Sequence, residues 1–329
     1  MKTVVTGAAG FIGANLVRRL LAEGRDIRAV DNISRGKSSN LQGLPLKVVY
    51  ADLRQYDRAL KAIEGAETVY HLAARVGSID YLHGSSGAEL EALQSNLAID
   101  ANVFKACRES GVKKIVYASS VSVYPIDRQQ SLGAVFKEDD IYPINPEGGY
   151  GWAKLVGEIQ LGMMEDCGSA IARIFNAYGE YCEYEGTAQV VPALIRKAIN
   201  FPKENFIVWG AGSQTRNLIY IGDCVGALLE MEKKASYPPL VLNIGNRETT
   251  TIRELAETVV KVSGKQMPIR YDASKPVGPI SRIPDTQRAN TVLGWKAHTK
   301  LEDGVERTYC WMAAQFLEAR ASQPSRPLA

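Results

Sequence analysis

Short apolar runs alternate along this chain with longer stretches of helical periodicity. Lys2–Thr6 is a compact apolar strand, and Phe11, Ile12, Leu16, Leu20 and Leu21 recur near helical spacing over Phe11–Ala22. The pattern then repeats. Ile27–Val30 predicts a second strand ending at Asp31, Lys47–Tyr50 a third ending at Asp52, Thr68–Ala73 a fourth and Lys114–Ala118 a fifth. Asn96–Gly111 predicts a helix between the last two, Tyr150–Met164 a later helix, and Ala170–Phe175 a sixth strand. Buried strands separated by helices imply an α/β fold with a doubly wound parallel sheet covered on both faces. Ligands of such sheets bind at the carboxyl ends of the strands. Gly7, Asp31, Asp52, Ala73-Ala74, Ser119-Ser120 and Asn176 all fall just past a predicted strand and would line one edge.

After Phe175 the alternation loosens. Tyr178–Thr187 reads as a loop, Pro192–Ile199 as a helix, Asn205–Trp209 and Leu240–Ile244 as strands, and Ile252–Val262 as a helix. The expected division is a cofactor domain over residues 1–175, with 205–245 partly returning to it. Residues 176–204 and 246–315 form a smaller C-terminal substrate-binding lobe, and 316–329 a flexible tail with Ser322–Ala329 frayed.

The glycine run Gly7-Ala8-Ala9-Gly10-Phe11-Ile12-Gly13 gives the first half a chemistry. Glycines between a strand and a helix allow a tight turn, and the backbone with Phe11 and Ile12 then approaches a pyrophosphate closely. Asp31 ends the next strand about 20 residues on, where a carboxylate accepts both adenosine ribose hydroxyls and repels a 2′-phosphate. The domain is thus Rossmann-type and its expected cofactor is NAD, contacted by Gly7, Gly10, Gly13, Asp31, Asn32, Leu72, Ala73 and Ala74. Arg35 keeps NADP as a minority reading. Asp52-Leu53 either faces the adenine or caps a strand end.

Tyr150 and Lys154 stand one helical turn apart. A cation beside a phenol lowers its pKa and makes proton transfer from a sugar or alcohol hydroxyl feasible. Composition narrows the partners. Of 329 residues 46% are hydrophobic, and 39 basic against 36 acidic residues leave a charge of +3. That balance makes no case for nucleic acid or an acidic membrane. No apolar run approaches the ~20 residues that span a bilayer. The N-terminal run does not read as a signal peptide. The five cysteines are scattered, and the histidines are His71, His83 and His298. Neither a metal site nor a disulfide framework is expected, and a cytoplasmic location is.

Taken together, Gly7-x-x-Gly10-x-x-Gly13, His71-Leu72-Ala73-Ala74, Ser119-Ser120, Tyr150-x-x-x-Lys154 and Arg173-x-x-Asn176-x-Tyr178-Gly179 resemble the extended short-chain dehydrogenases. Within them the chain resembles the NAD-dependent nucleotide-sugar epimerases and dehydratases, over residues 1 to about 313. The resemblance implies that Ser120 and Tyr150 hydrogen-bond the sugar C4 hydroxyl, that Tyr150 is the base, and that Lys154 holds the nicotinamide ribose. It implies phosphate contacts from Asn176, Arg216 and Arg282. Trp209 reads as core rather than as a base-stacking residue. Arg75 either binds a sugar carboxylate, as in a uronic acid, or sits in a loop salt bridge.

The resemblance also separates reactions. Dehydratases of this kind carry an acid where Val121 and Ser122 stand, which disfavours dehydration. The segments Tyr117-Ala118-Ser119-Ser120, Tyr124-Pro125, Trp209 to Arg216 and Leu293-Gly294-Trp295 resemble the GDP-mannose 3,5-epimerases. Those enzymes use a cysteine and a lysine, whose positions here are Ser122 and Val190, beside the expected substrate contact Val191. A serine is a far weaker acid than a thiol; Cys182 or Glu183 is the alternative donor. The smallest chemistry left is C4 oxidation and re-reduction, a 4-epimerase acting on a UDP- or GDP-linked sugar, with Ser122 touching the sugar. A net C4 dehydrogenase and a non-catalytic NAD-binding scaffold are the other readings. A homodimer is expected, with Asn96–Gly111 and Tyr150–Met164 as its helical seam.

Overall fold

The computed structural model describes residues 2–76, 85–131, 133–186, 188–275, 278 and 280–321. Its frame is a seven-stranded sheet in which every neighbouring pair is parallel. The strands are β1 (Lys2–Thr6), β2 (Asp26–Asp31), β3 (Val48–Tyr50), β4 (Thr68–His71), β5 (Lys114–Ser120), β6 (Gly168–Ile174) and β7 (Leu240–Ile244). Their spatial order is β7-β6-β5-β4-β1-β2-β3. The order reverses beside β1, which opens a crevice at the carboxyl ends of the strands. The expected doubly wound α/β class is the observed one.

Helix α1 (Phe11–Ala22) packs its Leu16, Val17 and Leu20 under one face, with α6 (Ile221–Lys233). Helices α2 (Tyr56–Ile63) and α3 (Ser86–Glu109) cover the other face with Ala59, Ile63, Val103 and Phe104. Helix α4 (Gly148–Gly162) lies along α3 and above the end of β5. Each strand presents apolar side chains to both faces, as parallel strands must.

Several predicted boundaries move. Helix α3 starts ten residues before the expected Asn96, because the Ser85 hydroxyl caps it by accepting from Ala88 N at 3.2 Å. Strand β5 runs on to Ser120, so Ser119 and Ser120 pair with Arg173 and Ile174 rather than sit in a turn. Helices α2, α6 and α8 (Leu301–Ala321) were not anticipated. Residues 316–321 therefore belong to a helix and not to a tail; Ser322–Ala329 and Thr187 lie outside the described residues. In the second half, Leu240–Ile244 joins the main sheet, whereas Ile207–Trp209 pairs with Arg270–Asp272. Helices α5 (Val190–Asn200) and α7 (Ile252–Ser263) pack together there. Among the described residues no helix is long and apolar enough to cross a membrane.

The α3–α4 contact is tight at Gly157. A Cβ added to Gly157 would lie 2.3 Å from the Tyr117 hydroxyl and 2.8 Å from Asp100 Oδ2. Gly157→Ala should cost about 1–3 kcal/mol of stability by overpacking, despite its better helix propensity. Denaturant unfolding that shows no loss contradicts this.

Candidate active site

One cleft of about 950 Å³ runs across the carboxyl ends of the strands. Every residue expected to touch cofactor or substrate lines it, from Gly7 to Arg282.

At the β1 end the chain turns at Gly7 with φ 68°. A Cβ on Gly13 would lie 2.1 Å from the Gly7 carbonyl oxygen, so only glycine lets the helix approach the loop. Helix α1 begins after Gly10 with no side-chain cap and no acidic residue in its first turn. Its first N–H groups and dipole therefore suit a diphosphate. Asp31, buried at the end of β2, accepts from Ala9 N at 2.9 Å and from Ile33 N at 2.8 Å. The carboxylate thus braces the glycine loop and fixes its own place at the ribose end. Asn32, Leu53, Leu72, Ala73 and Ala74 follow along the same wall. Asp52 lines it too, but the hydrogen-bonded Arg54 guanidinium holds its carboxyl below the ordinary value.

Tyr150 and Lys154 both project from α4 and are both buried. Burial pushes the Tyr150 phenol well up, and Ser120 partly offsets it. Lys154 Nζ lies 4.4 Å from the Tyr117 ring centre and 6.0 Å from that of Tyr150. Among the described residues it has no hydrogen-bond partner. A buried ammonium with unused donors fits a ribose hydroxyl, so the glycine cradle and Lys154 together suit NAD. Burial lowers the Lys154 pKa, while Asp100 and Glu158 oppose the shift. Asp100, fully buried on α3, accepts from Tyr117 Oη at 2.5 Å and pairs with His71 Nε2 at 3.0 Å. His71 Nδ1 meets Thr6 Oγ1 at 2.8 Å. A neutral ring serves both: Nε2–H donates to Asp100, and Nδ1 accepts from the Thr6 hydroxyl.

The far end of the cleft is polar. Ser122 Oγ donates to Glu147 Oε2 at 2.9 Å, and Arg282 also donates to that oxygen. Arg282 Nε donates to Gln129 Oε1 at 2.6 Å. Burial lowers the Arg216 pKa to about 10, the neighbouring Arg282 adds to the shift, and Glu147 opposes it. Two arginines facing each other suit a dianion. Asn176 Nδ2 is committed to the Asn217 carbonyl at 3.1 Å. Arg75 pairs with Glu91 at 3.0 Å, the salt-bridge alternative. Burial pushes the Cys182 thiol up to about 12, which makes it a poor acid or base near neutrality. Trp209 is not core: it is 44% exposed and lines the cleft.

Glu147 is the functional candidate that sequence reading missed. It precedes the first turn of α4 without capping it through its side chain, and its side-chain contacts come from residues 25 and 135 positions away. Its three-residue offset from Tyr150 was the only local signal.

Residues 3–245 match the NAD dependent epimerase/dehydratase family, and the chain belongs to it. It is 31% identical over 319 residues to GDP-mannose 3,5-epimerase 1 of Oryza sativa subsp. japonica, covering 96% of this chain and 82% of that protein. It is 31% identical over 323 residues to UDP-glucose 4-epimerase of Mycolicibacterium smegmatis, covering 94% and 97%. The crystal structure of a UDP-glucose 4-epimerase with UDP-glucose from Thermotoga maritima has a TM-score of 0.86 at 25% identity, covering 96% of this chain and 100% of that one. The protein is accordingly an NAD-dependent nucleotide-sugar epimerase/dehydratase family member.

A 2′-phosphate would meet Asp31, and like charges brought together cost several kcal/mol. NAD should therefore bind at least ~10-fold more tightly than NADP. Equal affinities by calorimetry would contradict the role given to Asp31.

Proposed function

We propose that the protein is a nucleotide-diphosphate-sugar 4-epimerase that oxidises C4 transiently and reduces it again. The observation that carries this reading is Tyr150, buried in the cleft with Ser120 and one helical turn from the buried Lys154. In this reading Tyr150 Oη takes the proton of the C4 hydroxyl and later returns it. Ser120 orients that hydroxyl. Lys154 holds a ribose hydroxyl of the cofactor, and its charge favours the phenolate that burial disfavours. Bound NAD supplies the hydride acceptor and, in the reverse step, the donor. Arg216 and Arg282 take the diphosphate, with Asn176 and Val191 beside it. The cleft volume of about 950 Å³ supports a substrate that turns within the site.

The relation to a GDP-mannose 3,5-epimerase favours a second reading, with inversion at C3 and C5. Against it stand Ser122, an alcohol, Val190, a hydrocarbon, and Cys182, whose thiol is pushed up. Dehydration lacks an acid at Val121. The test is a screen of UDP- and GDP-linked sugars in deuterated water, followed by NMR. Inversion at C4, no deuterium at C3 or C5 and no net NADH are expected. Deuterium at either carbon would shift the reading to 3,5-epimerisation, and accumulating NADH to a dehydrogenase. Tyr150→Phe should lower kcat by roughly 10²–10⁴ while NAD stays bound.

A homodimer through the outer faces of α3 and α4 belongs to the same proposal. Leu90 on α3 and Trp152, Ile159 and Met163 on or beside α4 are all more than 40% exposed, Met163 at 75%. Such an apolar stripe is what a four-helix seam covers. Ile159→Glu should yield monomers by sedimentation. A monomeric wild type would sink the seam.

A further inference from the structure

Glu147 puts a carboxylate into the sugar end of the cleft, and two rigid elements fix it there. Its backbone N donates to the Ser122 carbonyl at 2.8 Å. Its Oε2 accepts from Ser122 Oγ at 2.9 Å and from Arg282. The side chain is 14% exposed, and no described residue donates to Oε1. One acceptor oxygen therefore remains for a substrate hydroxyl, next to the Ser120–Tyr150 pair.

The charges around it decide what the pocket admits. Among the described residues the cations near this end are Arg216, Arg282, the buried Lys154, and Arg75, which pairs with Glu91. A nucleoside diphosphate brings about two negative charges, which the Arg216–Arg282 pair matches. With the diphosphate seated, Glu147 shares Arg282 with it, and the sugar end holds a surplus of negative charge. A second carboxylate on the sugar would add to that surplus in a partly desolvated site. A neutral sugar offers hydroxyl donors instead.

We propose that Glu147, clamped by Ser122 and Arg282, is a specificity-determining residue that receives a hydroxyl of a neutral sugar and excludes uronates. The inference rests on the nucleotide-sugar reading above and removes the uronic acid option from it. Arg75, committed to Glu91, does not provide the opposing cation.

The test compares holoenzyme binding, by calorimetry, of UDP-glucose with UDP-glucuronate and of GDP-mannose with GDP-mannuronate. Wild type should prefer the neutral member of the binding pair by about a hundredfold. Glu147→Gln keeps the shape and an acceptor for Ser122 but removes the charge, and should narrow the preference to within about tenfold. Glu147→Asp keeps the charge and should keep the preference. Equal or tighter uronate binding by wild type overturns the proposal whether or not the variants fold. So does an unchanged ratio in Glu147→Gln. If neither pair binds, this proposal falls together with the nucleotide-sugar reading. Binding that discriminates without turnover sinks the epimerase reading and leaves the specificity of Glu147 standing.

Discussion

Keeping Lys154 charged in a place without water is the constraint on which the rest of the site depends. A buried ion costs several kcal/mol unless paired and hydrogen-bonded. The counter-charge is Asp100, equally buried, on a different helix. Burial alone would raise the Asp100 pKa, but Lys154, His71 and Tyr117 outweigh it and hold the carboxyl low. His71 leans in turn on Thr6, whose hydroxyl oxygen also accepts from Leu72 N and Ala73 N at 3.2 Å each. The support of one ammonium thus reaches the strand that ends in the glycine loop. Gly157 follows from the same need. Helix α4 must come close enough for Lys154 to feel Asp100, and a methyl group there would meet Tyr117 and Asp100.

A second buried pair sits one turn further along α4. Glu158 accepts from Arg173 at 2.6 Å and from Ser119. Arg173 also donates to Tyr124 Oη at 3.2 Å and to the Glu138 carbonyl at 2.6 Å. Arg173 belongs to the motif that suggested a nucleotide-sugar enzyme, yet it binds no open part of the cleft. Its work is to tie β6 to α4. With Glu158 held by Arg173, α4 can neither rotate nor slide without breaking a buried ion pair. That fixes Tyr150 near Ser120 on β5, which the roles proposed for them, base and substrate-positioning partner, would require.

The sequence made one side of this site readable and hid the other for a physical reason. Residues that follow directly from a strand end, such as Gly7, Asp31, Ala73 and Ser120, inherit their position from the sheet. Apolar periodicity locates the strands, and the topology does the rest. Glu147 and Arg282 meet across 135 residues, and no local pattern records that approach. Trp209 failed differently. An apolar flank suggests burial, but its strand pairs with Arg270–Asp272 at the cleft rather than with the main sheet. Helix α6 was hidden by Gly222 and Gly226, which weaken the helical signal.

The two charged zones of the cleft have opposite designs, and that difference shapes the chemistry. Beneath Tyr150, the buried charges of Lys154 and Asp100 act on each other inside the protein. Asp100 and Glu147 both act to raise the Tyr150 pKa further, after burial. Bound NAD would add a positive charge at its nicotinamide ring, which favours the phenolate. At the sugar end, Arg282 lowers the Arg216 pKa and Glu147 opposes it, so a diphosphate would relieve the repulsion between the two arginines.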